Sequence, residues 1–290
     1  MTASTRPFGA RLLARGCTLL GALCATLAGA APMFAATDDP AASAIWQKVR
    51  TSLFEGRAIG KAPEGALILE TPARAIDAAV VPIAIRTRFP QAATGTAARH
   101  VAKLYLIIDA NPSPISAIFS FALESSRADV ETRVRVDEYS HVRAIAELSD
   151  GTLYATTRFV KASGGCSAPA GSDAAAALAS MGKMRFRIDG DVKGREPVLA
   201  QLMIDHPNHS GMAMDQATRQ YTPAHYVRKV DVTLGGKPVF SADVDFSISE
   251  NPNFRFYFQP QAGAELRATV VDSRDMRFVS STAARGDAPQ

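Results

Sequence analysis

The residue in this chain whose chemistry stands apart is Cys166, set in Ser163-Gly164-Gly165-Cys166-Ser167-Ala168-Pro169. Of the three cysteines, Cys17 and Cys24 fall in an apolar N-terminal run that reads as an export signal, so the exported chain would keep one thiol. A lone thiol in an oxidising compartment oxidises, pairs with another molecule or carries something. Gly164 and Gly165 lack a Cβ and allow backbone conformations that other residues avoid. Six residues separate Cys166 from Val160, where a strand is expected to end, and that length spans roughly 20 Å when extended. The expectation is a flexible arm, with Gly164, Gly165 and Ser167 giving mobility. It would hold an exposed thiol of ordinary acidity, near pKa ~8.5 and a few per cent ionised at neutral pH. Such a thiol is a nucleophile suited to covalent attachment of a small molecule. The plain alternative is a linker in which a cysteine happens to fall.

Other reactive side chains form weaker patterns. His206 and His209 stand three residues apart beside Asp205, but two ligands rarely suffice for zinc, so no metal site is expected. His225 and His206 are candidate docking or interface residues, His225 either at a strand edge or in contact with the other half or a partner protein. His141 lies in an alternating strand with no neighbour that would make it a base. No Gly-x-Ser-x-Gly elbow occurs around the serines, and a cysteine on a mobile loop lacks the oriented base that covalent catalysis needs. No catalytic residue and no cofactor are therefore expected. The rival readings are a thiol-dependent periplasmic enzyme and a structural or interaction module with an incidental cysteine.

The elements that would position Cys166 are mostly strands. Residues 128–136 place Val130, Thr132, Val134 and Val136 on one face and Asp129, Glu131, Arg133 and Arg135 on the other. Met184, Phe186 and Ile188 alternate with Lys183, Arg185 and Arg187, and Phe254, Phe256 and Phe258 alternate with Arg255 and Tyr257. A period of two means strands with one face buried, as in antiparallel sheets. Leu234-Gly235-Gly236-Lys237 suits a two-residue hairpin turn. Helix signals are limited to residues 41–54, with Ile45, Val49 and Leu53 at four-residue spacing and Trp46 beside them, and to an Ala-rich stretch that Ser172 could cap and Gly182 could end. The fold expected is all-β: two immunoglobulin-like antiparallel sandwiches joined by a flexible linker. The expected segments are a signal peptide at 1–36, a first sandwich at 37–161, a linker at 162–181, a second sandwich at 182–278 and a disordered tail at 279–290.

Composition narrows the class of partner. Arg6, Arg11 and Arg15 precede the apolar run, and cleavage of that segment would leave 29 basic against 28 acidic residues. Nothing in that balance points to nucleic acid. The apolar run is too short to span a bilayer, so a cleaved signal, a periplasmic location and no membrane partner are expected.

Two groups of motifs resemble a known pair of families. Phe54-Glu55-Gly56-Arg57, Leu67-Ile68-Leu69-Glu70-Thr71-Pro72, Val81-Pro82-Ile83, Asp109-Ala110-Asn111-Pro112-Ser113-Pro114 and the closing Gly164-Gly165-Cys166 resemble SoxY. His206-Pro207, Ser210-Gly211, Pro223-Ala224-His225-Tyr226-Val227 and Asn251-Pro252 before Phe254, Phe256 and Phe258 resemble SoxZ. The whole is similar to SoxYZ-like carriers associated with quinoprotein dehydrogenases. That resemblance implies no catalysis by the protein itself. It implies that Cys166 carries a sulfur-containing or thiol-reactive intermediate, of which thiosulfate chemistry is the family's type, and presents it to periplasmic pathway enzymes. It also implies that the two halves pack on each other. Two departures stand out: Ser167 and Ala168 replace the last two glycines of the SoxY arm, and Asn208 and His209 replace Met and Glu in the SoxZ pattern. The chain also continues past the cysteine, so the arm would be tethered at both ends.

Overall fold

The computed structural model describes residues 39–89, 99–169, 171, 174–190, 196–215 and 218–284. The expected signal segment and Ser172 lie outside the described residues. Helix α1 (Ala44–Phe54) starts where Ser43 Oγ accepts the Trp46 amide at 3.1 Å and ends at Glu55, whose φ of 50° breaks the helical path. Its buried face is Trp46, Val49 and Phe54, packed on Tyr105, Ile107, Ile145 and Leu153. Ile45 is exposed, so the helix is turned by about one residue from the expected stripe.

The first half then runs β1 (Ile59–Lys61), β2 (Leu67–Glu70), β3 (Val81–Thr87), β4 (Val101–Ile108), β5 (Ile115–Phe121), β6 (Val130–Val134), β7 (Ser140–Leu148) and β8 (Leu153–Val160). After α2 (Ala174–Ser180), the second half runs β9 (Met184–Asp189), β10 (Val198–Ile204), β11 (Val227–Leu234), β12 (Lys237–Val244), β13 (Asn253–Phe258), β14 (Glu265–Asp272) and β15 (Arg277–Ala283). Gly235 and Gly236, at φ of 54° and 82°, make the tight β11–β12 hairpin, which needs two positive φ values in a row. Among the described residues no helix is long and apolar enough to cross a membrane.

The strands form two layers. The larger sheet has the order β1-β8-β7-β4-β5-β12-β11-β14-β15, and the smaller β2-β3-β6-β13-β10-β9. Each half contributes to both layers, giving the expected pair of immunoglobulin-like sandwiches. They are not separate bodies on a soft joint. Strands β5 and β12 pair from Phe121↔Phe240 to Ala117↔Val244, and β6 pairs with β13 at Glu131↔Arg255 and Val130↔Phe256. Both sheets therefore continue from one half into the other.

The aromatic side chains on the inner faces explain the fusion. Phe119 stacks on Phe240 at 5.9 Å and meets Phe254 edge-on at 6.4 Å, and Phe240 stacks on Phe256 at 4.8 Å. Such rings bury the largest apolar areas available and add contact geometry of their own. One continuous core of buried residues runs from Leu67 in β2 to Val270 in β14. The expected tail at 279–290 is corrected in part: β15 extends to Ala283, hydrogen-bonded along β14, while 285–290 lie outside the described residues.

Candidate functional site

The glycine-flanked cysteine does not stand out in solvent. After β8, Lys161 donates its amide to Ala73 O at 2.9 Å, and the chain turns at Gly164, whose φ is +80°. Gly164 N then donates to Asp137 O at 2.7 Å, Gly165 N to Val136 O at 3.0 Å, and Cys166 N to Asp137 Oδ1 at 3.2 Å. On the other side the Ser210 hydroxyl, from the second half, donates to Cys166 O. Cys166 is 0% exposed.

This overturns the expected mobile arm of Gly164, Gly165 and Ser167 with an exposed thiol. A Cβ on Gly165 would lie 2.1 Å from Ala78 O and 2.7 Å from Val136 O. The missing side chain thus serves close backbone approach, not motion, and the two uses of glycine look the same in a sequence. Ser167 is exposed and its hydroxyl closes the turn on Gly164 O at 3.3 Å. The 162–181 linker is accordingly a docked turn at its start and helix α2 near its end.

Of the residues around the turn, Asn111 belongs to the Asp109–Pro114 motif, whereas nothing in the sequence marked Arg135 or Asp245 for this place. Asn111 donates Nδ2 to Arg135 O at 2.8 Å and to Ser247 Oγ at 3.0 Å, and accepts the Asp137 amide on Oδ1 at 2.9 Å. It fixes the segment that receives Gly164 to Cys166. Arg135 was expected on the solvent face of its strand, yet it is 4% exposed. The strand ends at Val134, so the alternation no longer applies. Its guanidinium donates one Nη to Asn208 O at 3.1 Å and the other to Gly165 O at 3.5 Å, and its Nε has no partner. Asp245, after β12, accepts the Ser247 amide on Oδ1 at 2.7 Å while its buried Oδ2 is unpartnered.

Burial dominates the electrostatics. It pushes the Cys166 thiol up to about 12, with Asp137 acting the same way and Arg135 opposing. The thiol is therefore protonated in this arrangement, far from the ordinary acidity expected. Burial raises the Asp245 carboxyl to about 6, against the hydrogen bond from Ser247, and it lowers the Arg135 guanidinium, against the pull of Cys166, Glu250 and Asp77. Among the described residues no histidine hydrogen-bonds the sulfur.

The histidines meet elsewhere. His206 and His225, expected as docking or interface residues, are 1% and 2% exposed, which removes them from any outward-facing contact. His225 Nε2 lies 2.7 Å from Asp272 Oδ2, and His206 Nε2 lies 3.6 Å from the same oxygen. His206 does not pair with His209 as a ligand set; Asp272, distant in sequence, completes the buried cluster. The donor chemistry does not suit a cation. His206 Nδ1 accepts the Asn208 amide at 3.1 Å, so the neutral ring keeps its proton on Nε2 and offers no lone pair there. Burial and the neighbouring His225 push His206 down to about 4, favouring that neutral form. Asp272 Oδ1 meanwhile accepts the amides of Arg274 and Met276, at 2.8 and 2.9 Å.

The cluster is a brace. His209 and His225 exchange two backbone hydrogen bonds, and Asn208 Oδ1 accepts the Val227 amide at 2.8 Å. Together these fix the 206–211 loop, which presents Ser210 to the cysteine carbonyl and Asn208 O to Arg135. One signal for this loop was legible in the sequence, the His-Pro…Ser-Gly pattern. Asp272 and Arg135 carried none, because only the sheet topology brings them in.

Comparison with known proteins matches the two halves separately. The family model described as "Sulfur oxidation protein SoxY" covers residues 50–166, ending on the cysteine, and that described as "Sulphur oxidation protein SoxZ" covers 186–283. No curated protein matches the chain in sequence. Among solved structures, the sulfur carrier protein SoxY from Chlorobium limicola f thiosulfatophilum is 21% identical, over 40% of this chain and 90% of that one, at a TM-score of 0.32. A superoxide reductase (neelaredoxin) from Ignicoccus hospitalis is 18% identical, over 38% and 90%, at 0.28. Fibronectin(III)-like modules of Clostridium thermocellum CbhA are 12% identical, over 74% and 90%, at 0.21. TM-scores this low leave all three as distant likenesses.

Proposed function

This chain is a SoxY–SoxZ fusion, belonging to both sulfur-oxidation families, and from that premise we propose that it is a carrier for an intermediate of sulfur oxidation held covalently on Cys166. One observation carries the reading. The SoxY match ends on Cys166, the sole cysteine among the described residues, and that residue is fixed at the junction of the two halves by a few hydrogen bonds.

The docked turn is the resting state in this reading. A sulfur with no exposure, protonated because burial raises its pKa, neither attacks nor is attacked. Loading and delivery take place when residues 163–169 leave their seat. About four hydrogen bonds hold the turn, each worth roughly 1 kcal/mol net. An opening free energy of a few kcal/mol follows, with the open form populated at roughly 0.1–10%. In the open form the thiolate displaces a leaving group from a sulfur compound, and partner enzymes then act on the adduct. The protein performs none of that later chemistry. Export to the periplasm and partners linked to a quinoprotein dehydrogenase system belong to the same proposal, and the leader-like residues 1–36 support the first.

The burial of Sγ favours a second reading, in which Cys166 is a packing residue at the junction and the SoxZ half holds it there. A Cys166→Ser replacement in the native host separates the two. Ser is close to isosteric, so the fold is retained in either case. Loss of growth on reduced sulfur compounds, with the protein still present at its normal level, is the carrier result; unchanged growth supports the packing role.

A further inference from the structure

Arg135 is a buried cation at this junction that no carboxylate pairs among the described residues. It is 4% exposed, makes no ion pair among the described residues, and has an Nε donor with no partner. A buried cation without an anion is costly and calls for an explanation. The carbonyl oxygens of Gly165 and Asn208 solvate it in part, and the bond to Gly165 O, at 3.5 Å, is too long to be strong. Glu250 and Asp77 favour its charge from beyond ion-pair distance. The sulfur next to Gly165 cannot neutralise it, because burial keeps that thiol protonated. What fits is an anion whose charge does not depend on the thiol's acidity.

We propose that Arg135 is the anion-recognition residue of the docked cysteine, and that the group it takes is a small sulfur oxyanion at the end of an adduct on Cys166. The inference rests on the carrier reading and adds to it the residue that holds the cargo's charge. Loading lengthens a fully enclosed side chain, so the loaded turn redocks shifted outward. Arg135 follows at little cost, giving up its weak bond to Gly165 O and turning Nε–H and an Nη toward the oxyanion. Guanidinium donors bind two oxygens of such a group at once, and these charge-assisted bonds are about twice as strong as neutral ones. Ser210 and Asp137 hold the backbone of the unloaded turn, while Arg135 reads the cargo of the loaded one.

The test uses the full chain carrying two adducts of different charge. Tetrathionate supplies the anionic one: the thiolate attacks an inner sulfur, a new S–S bond forms to Cys166, the central S–S bond of tetrathionate breaks, and thiosulfate leaves with the electron pair. Methyl methanethiosulfonate supplies the neutral one: the thiolate takes the methylthio group and methanesulfinate leaves. Neither exchange needs an outside oxidant. Release of each adduct by dithiothreitol is followed by intact mass, in folded protein and in denaturant, for the native sequence, Arg135→Lys and Arg135→Gln. The denatured ratio of the two rates corrects for their intrinsic chemistry.

In the native sequence the anionic adduct should be released roughly tenfold more slowly than the neutral one after this correction, the effect of one charge-assisted hydrogen bond. Arg135→Gln should abolish that preference and Arg135→Lys should keep part of it. A native ratio no different from the denatured one overturns the assignment, as does a preference that survives in Arg135→Gln. Equal acceleration of both adducts in Arg135→Gln makes Arg135 a strut and also overturns it. If Cys166 takes up neither reagent from the folded state, the carrier reading itself fails, and this inference with it.

Discussion

Gly165 makes the sharpest statement at the scale of single residues. Its backbone passes so close to Ala78 and Val136 that a methyl group has nowhere to go. Gly165→Ala should therefore unseat the turn while leaving both sandwiches intact, since no core side chain changes. We expect iodoacetamide to modify Cys166 at least roughly tenfold faster in this variant, because reaction follows the open population. Gly164→Ala meets only Ser167 Oγ, at 3.9 Å, but a positive φ, so it should have the smaller effect, of roughly 1 kcal/mol. Equal and slow labelling of all three proteins would show that the turn is not held as described. The sequence pointed to this cysteine correctly and misjudged its surroundings, because Gly-Gly before a cysteine suits both a free arm and a tight crossing. Only the position of residues 78 and 136, brought up from elsewhere in the chain, tells the two apart.

Two loops behind the turn hold titratable groups of opposite habit. His206 is kept below its unfolded value, 6.5 falling to about 4, so the unfolded chain takes its proton first and stability drops as pH falls through that window. Asp245 is kept above its unfolded value, 3.8 rising to about 6, so the folded chain is protonated first and stability rises as pH falls through 6. Each single proton changes stability by about 1.4 kcal/mol per pH unit. Between pH 4 and 6 the two offset each other. Asp245→Asn removes one of them and should leave stability falling more steeply with acid by about that amount. Denaturant melts at stepped pH values check this, and identical slopes in the two proteins would contradict it. At this scale alternation gave β6, β9 and β13 and the Gly-Gly hairpin directly. It failed at strand ends: Asp129 and Arg135 are buried where the pattern placed them outside, because position relative to neighbouring loops, not pleat, decides there.

For the whole molecule the central fact is the continuity of both sheets across the junction. Sequence alone supplied two sandwiches and a linker, and it could not supply their pairing, since β5–β12 and β6–β13 join residues more than 100 apart. A shared core with Phe119, Phe240 and Phe256 at its centre should unfold as one cooperative unit. Calorimetry should show a single transition, which Phe240→Ala lowers by roughly 3–5 kcal/mol. Two resolved transitions would mean that the halves are independent after all. The same continuity gives the cysteine a seat built from both halves, with Asp137 and Arg135 on one side and Ser210 on the other, so docking and fusion are parts of one arrangement. The measurement that bears most directly on this account is intact mass of the protein purified from its native host, with and without reductant. A reductant-labile increment that maps to Cys166 and contains sulfur, and is not glutathione, is the predicted result. A clean, unmodified thiol under every growth condition that engages sulfur oxidation would contradict it.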